Sequence, residues 1–163
     1  HELIDMVKKL ILFVFCFYPL LLLADTTLEG RVVAIADGDT LTLLVDRSQH
    51  KIRLADIVTP ERRQPWYQKA KDALSELVFS KDVSVKVTKK DRYGRWIGRV
   101  FVNEIGVNAE LVRNGHAWVY KKYAKDPILY QLEDEARASQ KGLWSLPESE
   151  RIPPWEWRRS ERK

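Results

Sequence analysis

An α+β fold is predicted by three features of the chain: three strand-like runs in succession joined by short turns, two further runs beyond one helical pattern, and two helical patterns after the last run. Five short strands are too few for an immunoglobulin-type sandwich. They suit a small, partly open five-stranded Greek-key barrel of the OB type, with three helices. At 163 residues, 45% hydrophobic and 31% charged, the chain fits one compact domain and has no room for a second sizeable core.

His1 to Asp5 precede Met6 and read as a leader outside the natural start. From Met6, Lys8 and Lys9 form a basic stretch, and residues 10–23 an uncharged apolar run. That run is short for a membrane span and suits a signal peptide over residues 6–24, so export to the periplasm or the medium is expected. Cys16 falls inside it, so the mature chain would carry no cysteine and no disulfide framework. Glu2 and Asp5 cancel Lys8 and Lys9, so the net charge of +5 survives removal of residues 1–24. A basic balance favours a polyanionic partner.

Residues 27–35 and 40–45 read as two strands around the turn Asp37-Gly38-Asp39, and residues 50–57 as a third after the polar turn at 46–49. Ile52, Leu54 and Ile57 are its apolar positions, and Thr59-Pro60 ends it, because proline lacks an N–H donor. Pro65 opens a helix running to about residue 80, with Ala70, Leu74, Leu77 and Val78 on one face. Val83, Val85 and Val87 alternate with Ser84, Lys86 and Thr88 in a half-buried fourth strand, and residues 97–102 form the fifth after the Tyr93-Gly94 turn. Residues 107–114 and 127–140 carry helix patterns stopped by Gly115 and Gly142. The domain therefore spans 25–146. Residues 147–163, with Pro147, Pro153, Pro154, Trp155, Trp157 and the Arg158-Arg159 pair, lack periodicity and read as an extended or disordered tail apart from docked aromatics.

Four groups carry chemistry in this frame: the acidic turn Asp37-Gly38-Asp39-Thr40, Arg53 in the third strand, Glu61 on its exit turn, and Asp91-Arg92-Tyr93-Gly94-Arg95. Each has an ordinary explanation as a hairpin turn, an ion-paired edge residue or surface charge. Together they supply cationic clamps, a carboxylate base and oxygen ligands for a hard metal, which are the parts needed to cleave a phosphodiester. A zinc site or histidine nucleophile lacks its parts, since only His50 and His116 remain beyond residue 24.

In order and spacing these groups, with Asn108-Ala109-Glu110-Leu111-Val112-Arg113-Asn114-Gly115 and Gly142-Leu143-Trp144, resemble the staphylococcal (micrococcal) nuclease-like family over roughly residues 28–144. The resemblance implies a calcium-dependent phosphodiesterase on an OB barrel that acts on DNA and RNA, preferably single-stranded, leaves 3′-phosphates and works as a monomer. It assigns Arg53 and Arg95 as the two catalytic arginines and Glu61 as the residue that activates or orients the attacking water. Asp39 matches a calcium ligand, Thr59 binds the ion through its backbone carbonyl, and Asp37 tunes the site from behind. Tyr93, Tyr120 and Tyr123 are candidates to stack on bases, with Arg92 beside them for a terminal phosphate.

One position departs from the pattern: Val58 stands where the family has a second calcium-ligating aspartate. Calcium takes roughly six to eight oxygens, so a lost carboxylate predicts an impaired site. Two other readings follow, a non-catalytic OB module that binds single-stranded nucleic acid, and a membrane-anchored partner-binding protein if residues 10–23 stay attached.

Overall fold

The structure is a computed structural model and describes residues 26–163; the leader and the signal-peptide reading of residues 6–24 lie outside them. Strands β1 (Thr26–Asp37), β2 (Thr40–Val45) and β3 (Ser48–Leu54) form an antiparallel meander. β1 pairs on its other side with β5 (Asp82–Lys90), which pairs with β6 (Trp96–Val102). A parallel pairing of β3 with β6, Ile52 opposite Trp96 and Leu54 opposite Gly98, closes the five strands into the expected barrel. Register shifts in β1, between Val32 and Ala34 and between Ile35 and Asp37, supply the bend that a closed sheet needs.

Alternation explains which side faces in. Val32, Leu43, Ile52, Val85 and Val100 are all 0% exposed. Each such side chain contributes roughly 1.5–3 kcal/mol by leaving water. Helix α1 (Tyr67–Val78) adds Ala70, Leu74 and Val78 at helical spacing. It starts at Tyr67, two residues after the expected Pro65, because Trp66 sits in a left-handed conformation.

The third strand is shorter than its apolar pattern suggested. It stops at Leu54, Asp56 turns the chain at φ +67°, and Ile57–Val58 forms a separate strand, β4. Tertiary pairing overrides the local pattern here. Beyond the short β7 (Ile105–Gly106) and helix α2 (Val107–Arg113), β4 takes Trp118–Val119 (β8) as its antiparallel partner. Asn108 of α2 is the bolt for this corner: its Oδ1 accepts the Val100 amide at 3.0 Å, and its Nδ2 donates to the carbonyls of Ala55 at 2.9 Å and Gly98 at 3.3 Å.

Helix α3 (Pro127–Ala138) has Asp126 as N-cap, whose side chain accepts the Ile128 amide. It completes the three helices expected, but the described residues hold a fourth. The tail is not extended: after a single 3₁₀ turn at Glu148–Glu150, residues Pro154–Glu161 form helix α4, with proline at its start. It docks on a second apolar cluster of Val58, Trp118, Ala136, Leu143 and Trp144, against which Tyr120 and Trp155 also pack.

Candidate active site

The acidic turn between β1 and β2 aims Asp39 inward, where it is 6% exposed. Its Oδ2 accepts the Thr59 amide at 3.0 Å and lies 3.2 Å from Arg53 Nη2, and its Oδ1 accepts the Thr40 hydroxyl at 3.2 Å. Asp37 Oδ1 accepts the Asp39 amide at 3.0 Å, which places Asp37 behind Asp39. Burial pushes the Asp39 carboxyl up to about 6, with Arg53 pulling it down and Asp37 adding to the rise. Gly38 lets Thr59 come this close, since a Cβ there would lie 2.9 Å from both Thr59 Cβ and Oγ1.

Arg53 leaves β3 on the outward face, between the buried Ile52 and Leu54. Besides Asp39, its Nη2 donates to the Ile57 carbonyl at 2.9 Å and its Nη1 to that of Leu54. The guanidinium thus spans the turn at Asp56. Among the described residues its Nε–H and second Nη1–H remain for a ligand.

The barrel closure brings the stretch that starts at Arg95 to the edge of β3. Arg53 pairs with Ile97, so Arg95, two residues earlier and just before β6, stands at the end of the same β3–β6 seam. Asp91 fixes Arg95: its Oδ2 accepts Nε at 2.7 Å and its Oδ1 accepts the Arg95 amide at 3.0 Å. Desolvation pushes the Asp91 carboxyl up, but these bonds and one from the Tyr93 amide outweigh it and hold the group below its ordinary value. Gly94, at φ +79°, makes the turn. Tyr93 projects from it, 68% exposed, with Arg92 and Arg95 over its ring at 4.9 and 5.5 Å.

Glu61 follows Thr59 by two residues, and so hangs from the stretch that Asp39 and Arg53 hold. Its amide donates to Gln64 Oε1 at 2.9 Å, and its carboxylate accepts Arg158 Nε. Arg158 belongs to α4. Gln64, itself buried, donates to the Ile152 carbonyl at 2.7 Å, tying this exit turn to the tail a second time. Tyr120 stacks on Trp155 at 6.0 Å and 7° and meets Tyr123 edge-on at 5.0 Å; Lys89 and Lys122 lie over the Tyr123 ring at 4.9 and 5.3 Å. The sequence placed the tyrosines but not their partners from the tail. Pro153-Pro154 before Trp-Glu-Trp-Arg-Arg was the available signal, since proline favours the first helical position.

The residues fit calcium poorly. Both oxygens of Asp39 are engaged as above. Val58 offers only methyl groups, 5% exposed and opposite Trp118. Asp56, the neighbouring carboxylate, pairs with Arg99 at 3.1 Å. Thr59, the expected carbonyl donor, is buried with its Oγ1 unpartnered. Among the described residues no three His, Cys, Asp or Glu side chains gather as a metal cluster. Calcium's roughly six to eight oxygens are not assembled.

The closed five-stranded barrel is of the OB class, and Arg53 on β3, Arg95 before β6 and Glu61 on the exit turn are groups of the kind that handle a phosphodiester. Residues 51–146 match the family model described as staphylococcal nuclease homologue, and the chain belongs to that family of hydrolytic, metal-dependent nucleases. It is 42% identical over 150 residues to an uncharacterized endonuclease of Escherichia coli O157:H7, covering 91% of this chain and 94% of that protein. It is 44% identical over 143 residues to Protein ParB of Escherichia coli, covering 81% of this chain and 80% of the other. A micrococcal nuclease of Shigella flexneri is 40% identical over 143 residues, covering 81% of each.

Proposed function

We propose that this chain is an exported nuclease that hydrolyses phosphodiester bonds of single-stranded DNA and RNA to 3′-phosphate products, with a calcium response weakened by Val58. The observation that supports the reading is the β3–β6 register, which brings the Arg53 strand and the stretch just after Arg95 to one seam while Asp39, Arg53 and Thr59 hold the stretch that leads to Glu61. Attack on phosphorus builds negative charge on the equatorial oxygens. Guanidinium N–H groups fixed in advance stabilise that charge more than they stabilise the ground state. Arg95 is fixed by Asp91 and Arg53 by two carbonyls and Asp39, so neither needs to reorganise as charge develops. Glu61 takes the proton of the attacking water, a contribution of roughly 100- to 10,000-fold.

The test is cleavage of end-labelled, denatured DNA and of RNA over a calcium titration, with Arg95→Ala and Glu61→Gln alongside. Wild type should release 3′-phosphate ends, and each variant should be at least roughly 100-fold slower while losing no more than about 1 kcal/mol of stability. Binding without cleavage at any calcium concentration would favour the non-catalytic single-strand-binding module instead. Half-maximal activity at calcium levels ordinary for an extracellular site, about 10⁻⁴ to 10⁻³ M, would sink the weakened response.

A further inference from the structure

We propose that helix α4 is one wall of the substrate groove, with Arg158 as a phosphate contact and Trp155 as a stacking platform for a base of a single-stranded nucleic acid. The inference rests on the nuclease reading above and adds a part to the same site. Two contacts motivate it: Arg158 Nε reaches Glu61, and Trp155 lies parallel to Tyr120, 6.0 Å away. The Gln64–Ile152 bond of 2.7 Å holds the segment leading into the helix, so both side chains are presented by an anchored element.

A magnitude decides between a wall and a plug. The Arg158 and Glu61 side chains are 55% and 36% exposed. An exposed pair of this kind is worth roughly 0–1 kcal/mol, which could slow an enzyme by a factor of about 5 at most. A guanidinium–phosphate bond is charge-assisted and strengthens binding roughly 10- to 100-fold. Arg158 already touches the carboxylate assigned to the attacking water, so a phosphate at the reacting position lies within its reach. Moving Arg158 from Glu61 to that phosphate frees the base and adds a contact in one step.

Stacking gives the second line of argument. Trp155, Tyr120 and Tyr123 form a continuous run of rings, capped by Lys89 and Lys122 over Tyr123. Aromatic faces beside cations suit unpaired bases on a charged backbone, whereas a duplex keeps its base faces covered.

The experiment measures binding of a non-hydrolysable phosphorothioate single-stranded oligonucleotide by fluorescence anisotropy over a salt series, with steady-state cleavage in parallel. Arg158→Ala should weaken binding roughly 10-fold and reduce the salt slope by about 0.7, with Arg158→Lys recovering most of the slope. Trp155→Ala should weaken binding roughly 5-fold or more, with Trp155→Phe recovering it. In cleavage, Trp155→Ala should raise KM and leave kcat within about 2-fold, whereas Arg158→Ala should raise KM and also lower kcat, because a guanidinium at the reacting phosphate meets the charge that builds there. Arg31→Ala, which removes a charge paired with Asp82 at 3.5 Å, is the matched control and should bind as wild type. Unchanged or tighter binding by Arg158→Ala and Trp155→Ala, or equal weakening by Arg31→Ala, would overturn the proposal. If wild type binds but does not cleave, the nuclease reading fails while the binding series still judges α4; if wild type does not bind, both fail.

Discussion

Arg53 has two tasks in this structure, and they can be separated from those of Arg95. It holds the turn at Asp56 through the carbonyls of Leu54 and Ile57 and faces the buried Asp39, with its own side chain 16% exposed. Arg53→Ala leaves those acceptors and a buried carboxylate without their donor, so it should lower stability by about 2–4 kcal/mol as well as abolish activity. Arg53→Lys keeps the charge but cannot span three acceptors, and should recover less than half of that loss. Arg95→Ala breaks one local pair with Asp91 and should cost about 1 kcal/mol or less. Urea unfolding of the three variants checks the contrast. His116 carries a second prediction at this scale. Trp66 Nε1 donates to its Nδ1 at 3.0 Å and the rings stack, and burial holds the imidazole's pKa below 6.5, with Glu76 opposing. As pH falls through 6.5 the unfolded chain takes up the proton first, so this residue's contribution is full above that pH and is lost down to the folded-state value. His116→Gln, whose side-chain oxygen can still accept from Trp66, should flatten that part of a stability–pH curve relative to wild type. Parallel curves would show that His116 does not set it.

Among the elements, α2 and α4 tie distant parts of the chain together in ways that periodicity did not reveal. Asn108 reads in the sequence as the polar start of a short helix, yet its amide satisfies three backbone groups from β6 and the Ala55 turn. Asn108→Leu fills similar volume but orphans the Val100 amide in the interior, and should cost about 2–4 kcal/mol; a urea midpoint shifted by less than half of that would rule out the bolt. The barrel strands were legible because burial on one face leaves a period of two, as at Val83, Val85 and Val87. The break at Asp56 was read through: Ile52 and Leu54 keep a period of two, but Ile57 comes three residues after Leu54, and the pairing of Ile57 with Val119 makes that step a separate strand. The acidic turn, Arg53, Glu61 and Arg95 stood out through their order and spacing around Gly and Pro, which carry the family resemblance that assigns their roles. Trp155 and Arg158 were not, because their partners Tyr120 and Glu61 lie far away in sequence, and nothing local encodes such a contact.

At the scale of the whole molecule, the question is why a site of this kind carries valine at position 58. That residue is both the strand partner of Trp118 and a member of the second apolar cluster, the one on which Leu143, Trp144 and Trp155 also pack. An acid here has two opposed consequences. It would supply a further carboxylate for the cation proposed at Asp39, and it places a charge against indole rings at a position 5% exposed. Without metal, Val58→Asp should therefore destabilise the fold by about 1–3 kcal/mol, the cost of burying a poorly paired polar group. Calcium binding only the folded form should return stability as RT ln(1 + [Ca²⁺]/Kd), about 2.7 kcal/mol when calcium is 100-fold above Kd. Thermal unfolding of wild type and Val58→Asp with excess chelator and then with saturating calcium measures both. A calcium-dependent rise in the variant at least twice that of wild type is expected, together with a lower starting midpoint. An equal response in the two proteins would mean that position 58 does not govern the cation, and that the shortage of donors around Asp39 has no thermodynamic consequence.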